Sequence, residues 1–238
     1  MKKERTALVN RDTSWLSFND RVLQEANDAS VPLLERLKFL GIYSNNRDEF
    51  FRVRVATLMR MVKMGGAKTK ELLNGVNPEE LLDQIQHIII NQQERFDDIY
   101  QNILKELELQ GVFIINEKQL TPEHGEYVKT YFHEEVLPAL VPIMMENTKK
   151  FPYLKDHSLY LLVTMYKKEK GEKAKHALVE VPSGTLSRFL VLPKENKYVI
   201  LLEDVIRYCL DDLFFNFDYS SINAYIIKLT RDAELDVR

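Results

Sequence analysis

The chain has 238 residues, of which 45% are hydrophobic, enough to form one large domain or two ordinary ones. Its 33 Lys and Arg residues and 36 Asp and Glu residues give a formal charge of -3, which provides no overall electrostatic reason to expect binding to nucleic acid or to an anionic membrane. The single cysteine, Cys209, excludes an internal disulfide and a cysteine-based zinc cluster. No apolar signal region or run of roughly 20 apolar residues is present, so we expect a cytoplasmic protein.

Helical periodicity dominates the first 110 residues. Ser17 stands at capping-box spacing from Asp20, and this pattern predicts a first short helix. A second helix is predicted to begin near Pro32, whose fixed φ suits a first helical turn, and to end where Gly41 interrupts the apolar stripe. We therefore expect a separate helix to begin after Gly41.

The third predicted helix runs from Asn46 to about Met64, because Phe51 begins an apolar series at spacings of four, three and four residues. Residues 65–76 contain a glycine pair and lysines, and we predict a mobile connector there. Asn77 and Pro78 then give a cap and a first helical position, which predict a long helix to about residue 109. Residues 1–110 are therefore predicted to be an all-α helical domain.

The second part of the chain, residues 111–238, has the pattern of a mixed α+β domain. Short apolar runs predict strands at 112–115, 143–145, 159–166, 176–181, 198–202 and 225–230. Further helices are predicted from Thr121 and over 203–214. Residues 167–175 are rich in lysine and are typical of a solvated hairpin tip. The last strand is followed by no capping helix, so we expect the domain to be truncated at its C-terminal end.

The usual catalytic signatures are absent from the sequence, including GxxxxGK[ST], GxGxxG, HExxH and GxSxG. Cys209 lies on an apolar stripe and is interpreted as a small buried hydrophobe. Asp211 and Asp212 offer Mg²⁺-type oxygens, but adjacent carboxylates at a helix end are more typical of a solvated surface. The histidines never fall at metal-ligand spacing and are interpreted as ordinary surface or core residues: His87, His124, His133, His157 and His176. No metal site is predicted.

The stretch YSNNRDEFFRVR, residues 43–54, sets two neighbouring amides before three arginines, Arg47, Arg52 and Arg54. An asparagine at a helix N-cap accepts backbone N–H bonds, and Asn46 has capping-box-like spacing to Glu49. One cap does not explain two amides. A carboxamide also presents a donor and an acceptor side by side, as the edge of adenine requires, and a helix N-terminus suits anions. The residues alone leave both interpretations open, a structural cap and a nucleotide contact.

Several strings in chain order carry a resemblance to a known family: SWLSFNDRVLQEA, PLLERLKFLGIYSNNRDEFFRVR, ALVEVPSGTLSRFLVLP, RYCLDDLF and INAYIIKLTRDAELD. Together they resemble the amino-terminal third of bacterial polyphosphate kinases, the histidine-phosphorylated family. The resemblance implies an enzyme that reversibly transfers the terminal phosphate of ATP to inorganic polyphosphate. It also implies an all-α N-terminal domain followed by part of an α+β head domain, with the catalytic domains beyond this chain.

The resemblance places the nucleophilic histidine beyond Arg238, so it implies no catalytic residue and no metal ligand here, and a fragment that is inactive alone. It implies that the second asparagine of the SNN motif, Asn46, contacts the adenine of ATP, which leaves Asn45 as the helix cap. Arg47 departs from the apolar residue common in the family. The implied cofactors are ATP or ADP, with Mg²⁺ bound only in the full-length enzyme.

For partners, the resemblance implies ATP, inorganic polyphosphate and further copies of the chain, with no nucleic acid, and it leaves room for peripheral membrane association of the parent enzyme. A stand-alone α+β interaction or oligomerisation module is the alternative from a different functional class. The two differ in whether the reading frame continues into a half that carries the reactive histidine.

Overall fold

A computed structural model describes residues 10–65, 73, 75–147, 151–167, 174–193 and 197–232 of the chain. These residues fall into two compact units. The first runs to Leu107 and includes the residues from Thr230 onward, and the second is Glu108–Leu229. The predicted mobile connector at 65–76 and the predicted hairpin tip at 167–175 lie largely outside the described residues.

The first unit is built from helices in its described residues. They are α1 (Arg11–Asn27), α2 (Leu33–Phe50), a π-helical turn (Phe51–Val55), α3 (Ala56–Met64) and α4 (Pro78–Leu109). The 32 residues of α4 extend about 48 Å at 1.5 Å per residue. The side chain of Asn77 accepts a hydrogen bond from the Glu79 N–H at 3.2 Å, which confirms the predicted start of this long helix.

The first helix begins earlier than its sequence pattern predicts. Its N-cap is Asn10, whose side-chain oxygen accepts hydrogen bonds from the N–H groups of Asp12 at 2.8 Å and Thr13 at 3.4 Å. Ser17 lies inside α1, and its hydroxyl donates to the carbonyl of Thr13 at 3.0 Å. The predicted capping box at Ser17 is therefore wrong, because an earlier cap already satisfies the free N–H groups of the first turn.

The predicted helix end at Gly41 and the predicted helix start at Asn46 are also wrong. One unbroken helical run covers residues 33–64. A glycine inside a helix costs only about 1 kcal/mol relative to alanine. Leu40 and Tyr43, on either side of Gly41, are 2% and 0% exposed. Because burial of one large side chain contributes about 1.5–3 kcal/mol, the packing of these two outweighs the glycine.

Continuation of α2 also changes which face of the helix is buried. Phe50 is 3% exposed and lies on the inner face, whereas Phe51, the first residue of the predicted apolar series, is 41% exposed. The π-helical turn winds more widely than an α-helix and so shifts the phase of the residues after it. Leu58, at 1% exposure, returns to the core beyond this turn.

The second unit mixes strands and helices, which confirms the predicted α+β class. Its strands are β1 (Val112–Ile115), β2 (Ile143–Met144), β3 (Leu159–Tyr166), β4 (Lys175–Glu180), β5 (Phe189–Leu192), β6 (Lys197–Leu201) and β7 (Ser221–Lys228). Its α-helices are α5 (Pro122–Tyr131), α6 (Leu202–Tyr208) and α7 (Leu210–Leu213). A π-helical turn (Phe132–Val136) and 3₁₀ turns (Leu137–Ala139, Met145–Asn147) complete the described elements.

The described strands form two sheets. In the first, with order β1-β6-β5, β1 runs parallel to β6 and β5 runs antiparallel to it. The second, with order β2-β4-β3-β7, is antiparallel throughout. The pairing of β3 with β4, which sets Leu161 opposite Val179, confirms the predicted hairpin. The sequence analysis missed β5, the short apolar run Phe189–Leu192. Its burial alternates, with Phe189 and Val191 more than half exposed and Leu192 buried, but all four residues are apolar, so the sequence shows no polar alternation.

One apolar core holds the second unit together. It includes Val128 of α5, Phe132 of the π-helical turn, Leu161 and Val163 of β3, and Val205 of α6. All five side chains are fully buried. In the described residues no helix is both long enough and apolar enough to cross a bilayer.

Close packing at Gly125 leads to a stability prediction for this unit. A Cβ added at Gly125 would stand 2.2 Å from Tyr208 Oη and 3.0 Å from Tyr208 Cζ. Because the phenol must move, Gly125→Ala is expected to lower the free energy of unfolding by about 1–3 kcal/mol, the usual cost of overpacking. The buried thiol of Cys209 reports unfolding of this unit through its reaction with a thiol reagent in increasing denaturant.

The matched control is Gly184→Ala, because Gly184 has no atom within 4 Å of an added Cβ. That variant is expected to stay within about 0.5 kcal/mol of wild type. Equal stability of Gly125→Ala and Gly184→Ala would contradict the close contact with Tyr208.

Candidate functional site

The paired amides of the SNN motif lie inside α2, about one turn before its end. Asn45 is exposed and Asn46 is half-buried. Neither is an N-cap, so the predicted capping role of Asn45 is wrong, and so is the predicted anion-binding helix N-terminus at this point. Since no cap is needed in mid-helix, both amides are free for contacts outside the helix backbone.

Asn46 is held by a buried neighbour on α1. Its Nδ2 donates a hydrogen bond to Asn19 Oδ1 at 2.9 Å. Asn19 is 1% exposed, and its own Nδ2 donates to the backbone carbonyl of Tyr43 at 3.2 Å. The amide oxygen of Asn46 accepts no hydrogen bond from the described residues. One end of this carboxamide is therefore fixed, and the other is available to a ligand.

A second buried amide continues this polar network toward α4. The Tyr43 hydroxyl donates to Gln92 Oε1 at 3.2 Å, and Gln92 Nε2 donates to the carbonyl of Leu16 at 3.1 Å. Tyr43 and Gln92 are 0% and 6% exposed. Burial raises the pKa of Tyr43 above its ordinary value, so the phenol stays protonated and keeps donating. The network therefore ties α1, α2 and α4 together beneath Asn46.

The three arginines near the SNN motif do not form one cationic cluster. Arg47 donates to Gln93 of α4, and its guanidinium lies 5.6 Å from the centroid of the Tyr43 ring. Arg52 pairs with Glu49 at 3.8 Å. The Arg47 guanidinium also lies 6.0 Å from the centroid of the Phe96 ring, so this cation packs against two aromatic side chains.

Arg54 faces α1 instead. Its Nε and Nη2 donate to the two carboxylate oxygens of Asp12 at 2.7 and 3.0 Å, and this hydrogen bonding raises the pKa of Arg54. The pair borders a cleft of about 190 Å³ whose walls include Trp15 and Phe50. Their rings stack with centroids 4.8 Å apart. Phe50 is four residues beyond Asn46, so this wall lies one helical turn from the amide.

The remaining candidate residues have structural roles. Cys209 is 1% exposed, and burial raises the pKa of its thiol to about 12, which confirms the interpretation as a buried hydrophobe. Asp211 accepts from the Tyr219 hydroxyl at 2.8 Å, and Asp212 lies 3.1 Å from His133 Nε2. Across the described ranges, no three His, Cys, Asp or Glu side chains are placed to hold a metal ion together.

The histidines occupy ordinary surface and core positions in the described residues. His87, on α4, is exposed, whereas His124, on α5, is 1% exposed and has its ring centroid 5.0 Å from that of Tyr198, with the rings tilted by 54°. His157 takes a positive φ of 59° in a turn, and His176 Nδ1 lies 3.1 Å from the Thr164 hydroxyl.

The sequence interpretation missed two residues of the network, Asn19 and Gln92. Each occupies a position on the apolar stripe of its helix: Asn19 lies between Leu16 and Leu23, and Gln92 is seven residues beyond Ile85. A polar residue on a buried stripe needs a buried partner. A polar residue at an apolar position of each helix was therefore the sequence signal that could have indicated Asn19 and Gln92.

The arrangement is that of a two-unit α+β protein with a network of hydrogen-bonded amides in its helical unit. Two family models match the chain: "Polyphosphate kinase N-terminal domain" over residues 8–115 and "Polyphosphate kinase middle domain" over residues 123–238. The chain belongs to the polyphosphate kinase family.

Individual relatives give the same result. The polyphosphate kinase of Vibrio cholerae is 41% identical over 236 residues, which cover 97% of this chain and 33% of the relative. That of Escherichia coli K12 is 41% identical over 235 residues, with 96% and 33% covered. The crystal structure of the Porphyromonas gingivalis polyphosphate kinase matches with a TM-score of 0.82 and 34% identity, over 97% of this chain and 34% of that one. The chain thus spans about a third of the length of these relatives.

Proposed function

We propose that this chain forms the N-terminal domain and part of the head domain of an enzyme that transfers the terminal phosphate of ATP reversibly to inorganic polyphosphate. Membership in the polyphosphate kinase family supports this proposal. In it, residues 1–110 act as a nucleotide-positioning domain and residues 111–238 as part of the head domain. The enzyme is a cytoplasmic homo-oligomer.

The observation that carries the nucleotide assignment is the state of the Asn46 amide. The side chain is half-buried, anchored through Nδ2 and unsatisfied at Oδ1 within the described residues. A carboxamide held in this way presents an acceptor at a defined place, which the exocyclic amino group of adenine can satisfy. Asn46 is therefore proposed to contact the adenine of ATP.

The surface beside Asn46 suits the flat face of a base. Ile42 precedes Asn46 by one helical turn on the same side of α2 and is 46% exposed. An exposed apolar side chain next to one fixed polar group is part of the usual composition of a small-molecule site. Ile42 therefore supports binding of a purine.

In this proposal the chain positions ATP and makes no bond to phosphorus. The nucleophilic histidine lies elsewhere in the enzyme, and none of the five histidines here is assigned to it. Mg²⁺, which supplies charge stabilisation in phosphoryl transfer, is likewise assigned to the rest of the enzyme. The 238-residue chain alone is then catalytically inactive.

Replacement of Asn46 by alanine in the full-length enzyme tests the adenine contact. The variant is expected to raise the KM for ATP about two- to tenfold, because one neutral hydrogen bond contributes about 0.5–1.5 kcal/mol. The effect on kcat should be smaller, since the contact is remote from the transferred phosphate. Steady-state kinetics of polyphosphate synthesis measure both constants.

The control is Asn45→Ala, which removes the exposed neighbouring amide from the same helical turn. Its KM for ATP is expected to stay within twofold of wild type. The same KM for ATP in Asn46→Ala and in wild type would overturn the assignment.

A further inference from the structure

We propose that Asn19 is a positioning residue that fixes the orientation of the Asn46 amide and so makes the site prefer a 6-amino purine to a 6-oxo purine. This inference rests on the proposed adenine contact of Asn46. It adds a second residue, on another helix, whose role is to decide which atom of the carboxamide faces the base.

The order of donors and acceptors in the chain of hydrogen bonds follows from the carbonyl at its inner end. The backbone oxygen of Tyr43 can only accept, so Asn19 must turn its Nδ2 toward it, at 3.2 Å. Asn19 Oδ1 then faces Asn46, 2.9 Å away, and only Nδ2 of Asn46 can donate to it. Asn46 Oδ1 is thereby left pointing away from Asn19. One backbone carbonyl thus sets the orientation of both amides.

The buried end of this chain of hydrogen bonds, at Tyr43, is rigid. Tyr43 is held by its backbone within α2 and by its hydroxyl, which donates to Gln92 at 3.2 Å. Gln92 is itself oriented by the carbonyl of Leu16, to which its Nε2 donates at 3.1 Å. Because a backbone carbonyl orients each buried amide, Tyr43 for Asn19 and Leu16 for Gln92, no concerted flip of the side-chain amides leaves all bonds satisfied.

Burial makes an alternative orientation of Asn19 costly. The side chain is 1% exposed, so a flip would place its Oδ1 against the Tyr43 carbonyl with no water to separate the two oxygens. It would also place two amide nitrogens against each other. The half-buried Asn46 alone has no such restraint. Asn19 therefore supplies the directionality that Asn46 lacks.

An outward-facing acceptor distinguishes purines at position 6. Adenine presents an amino group there and can donate to Asn46 Oδ1. Hypoxanthine presents a carbonyl oxygen, which faces the same Oδ1 as a second acceptor and leaves both unpaired. If Asn46 were free to flip, its Nδ2 could donate to that carbonyl. Loss of Asn19 is thus expected to relax discrimination against the 6-oxo base, which a purely structural residue would not do.

The test compares ATP with inosine triphosphate as phosphoryl donors for the full-length enzyme. In wild type we expect a higher kcat/KM for ATP. In Asn19→Leu the ratio of kcat/KM for ATP to that for inosine triphosphate should fall about five- to tenfold, mainly through KM. Asn19→Asp, in the protonated form that burial favours, can donate its carboxylic acid O–H to the Tyr43 carbonyl and accept from Asn46 Nδ2, and should hold the ratio within about twofold of wild type.

The outcomes separate this inference from the proposed function. Asn46→Ala should also lower the ratio, and adding Asn19→Leu to Asn46→Ala should change it no further. An unchanged KM for ATP in Asn46→Ala would contradict the adenine contact itself. A raised KM in Asn46→Ala, together with an unchanged ratio in Asn19→Leu, would overturn only the role of Asn19.

General destabilisation of the fold gives a different result from loss of the hydrogen bond between Asn19 and Asn46. A damaged fold raises KM for both nucleotides together and leaves their ratio unaltered, which would contradict the proposal. If Asn19→Leu does not fold, Asn19→Ala, which leaves room for water, serves as the second variant, with the same expected fall in the ratio.

Discussion

Replacement of Arg36 by methionine is expected to lower the free energy of unfolding of the helical unit by about 2–4 kcal/mol. Arg36 is 3% exposed, which is unusual for an arginine, and two of its guanidinium nitrogens contact α1 and α4. Nε donates to the Ala26 carbonyl at 2.9 Å, and Nη1 lies 2.9 and 2.8 Å from the two carboxylate oxygens of Glu106.

The expected loss has two parts. Ala26 lies in the last turn of α1, where carbonyls have no partner within the helix, so Arg36 acts as a C-terminal cap for α1. A hydrogen bond to a charged group contributes about 1.5–3 kcal/mol. Removal of the guanidinium also leaves Glu106 without its partner, although that side chain is 43% exposed and water can solvate it. Methionine retains most of the aliphatic packing, so the loss reports the polar contacts.

The fluorescence of Trp15, the only tryptophan in the chain, follows unfolding of this unit in denaturant. The matched control is Lys38→Met, since Lys38 is also a cation on α2 and pairs with Glu35 at 2.6 Å. Its side chain is 68% exposed, and exposed ion pairs contribute little, so its stability should change by less than about 1 kcal/mol. Similar losses in both variants would contradict the role of Arg36 as a link between helices.

The second large effect is expected at Phe132 in the core of the α+β unit. Phe132→Ala should lower the free energy of unfolding of that unit by about 3–5 kcal/mol, because the side chain is 0% exposed and its removal leaves a cavity. Reaction of Cys209 with a thiol reagent in increasing denaturant reports this unit alone, since Cys209 belongs to the same core.

Phe215→Ala provides the comparison, because this substitution removes the same atoms from a side chain that is 75% exposed. We expect a change within about 0.5 kcal/mol. If Phe132→Ala lowers the free energy of unfolding by less than about 1 kcal/mol, the π-helical turn Phe132–Val136 does not pack in the core of this unit.

Local signals predicted much of the fold. The long helix α4 followed from an Asn-Pro start and an unbroken 3.6-residue period, and the β3–β4 hairpin followed from two β-rich runs around a charged segment. The parallel pairing of β1 with β6 could not be predicted in this way, because it joins segments more than 80 residues apart. β5 pairs with β6 on its other side, and because all four of its residues are apolar, the sequence does not show which of them are buried.

The wrong helix boundaries in the first unit all rest on single residues, Ser17, Gly41 and Asn46, whose effects are each about 1 kcal/mol. At Gly41 and Asn46, burial of Leu40 and Tyr43 outweighed these effects. At Ser17 the earlier cap, Asn10, had already satisfied the first turn. Continuous helix through Gly41 then set the phase that buries Phe50 and exposes Phe51.

The sequence also predicted only part of the candidate site. The chemistry of a carboxamide suggested Asn46 as a nucleotide contact, and the family resemblance favoured it, but neither indicated Asn19. Asn19 and Asn46 are 27 residues apart in the chain, and their contact depends on the packing of α1 against α2. Spacing within one helix carries no information about such a contact, whereas a polar residue on an apolar stripe does indicate that some partner is present.

The most direct measurement is a crystal structure of the full-length enzyme with a non-hydrolysable ATP analogue. The account predicts the exocyclic amino group of adenine within about 3.2 Å of Asn46 Oδ1, with Nδ2 still donating to Asn19. An adenine bound away from α2, with the Asn46 amide facing only solvent, would contradict it.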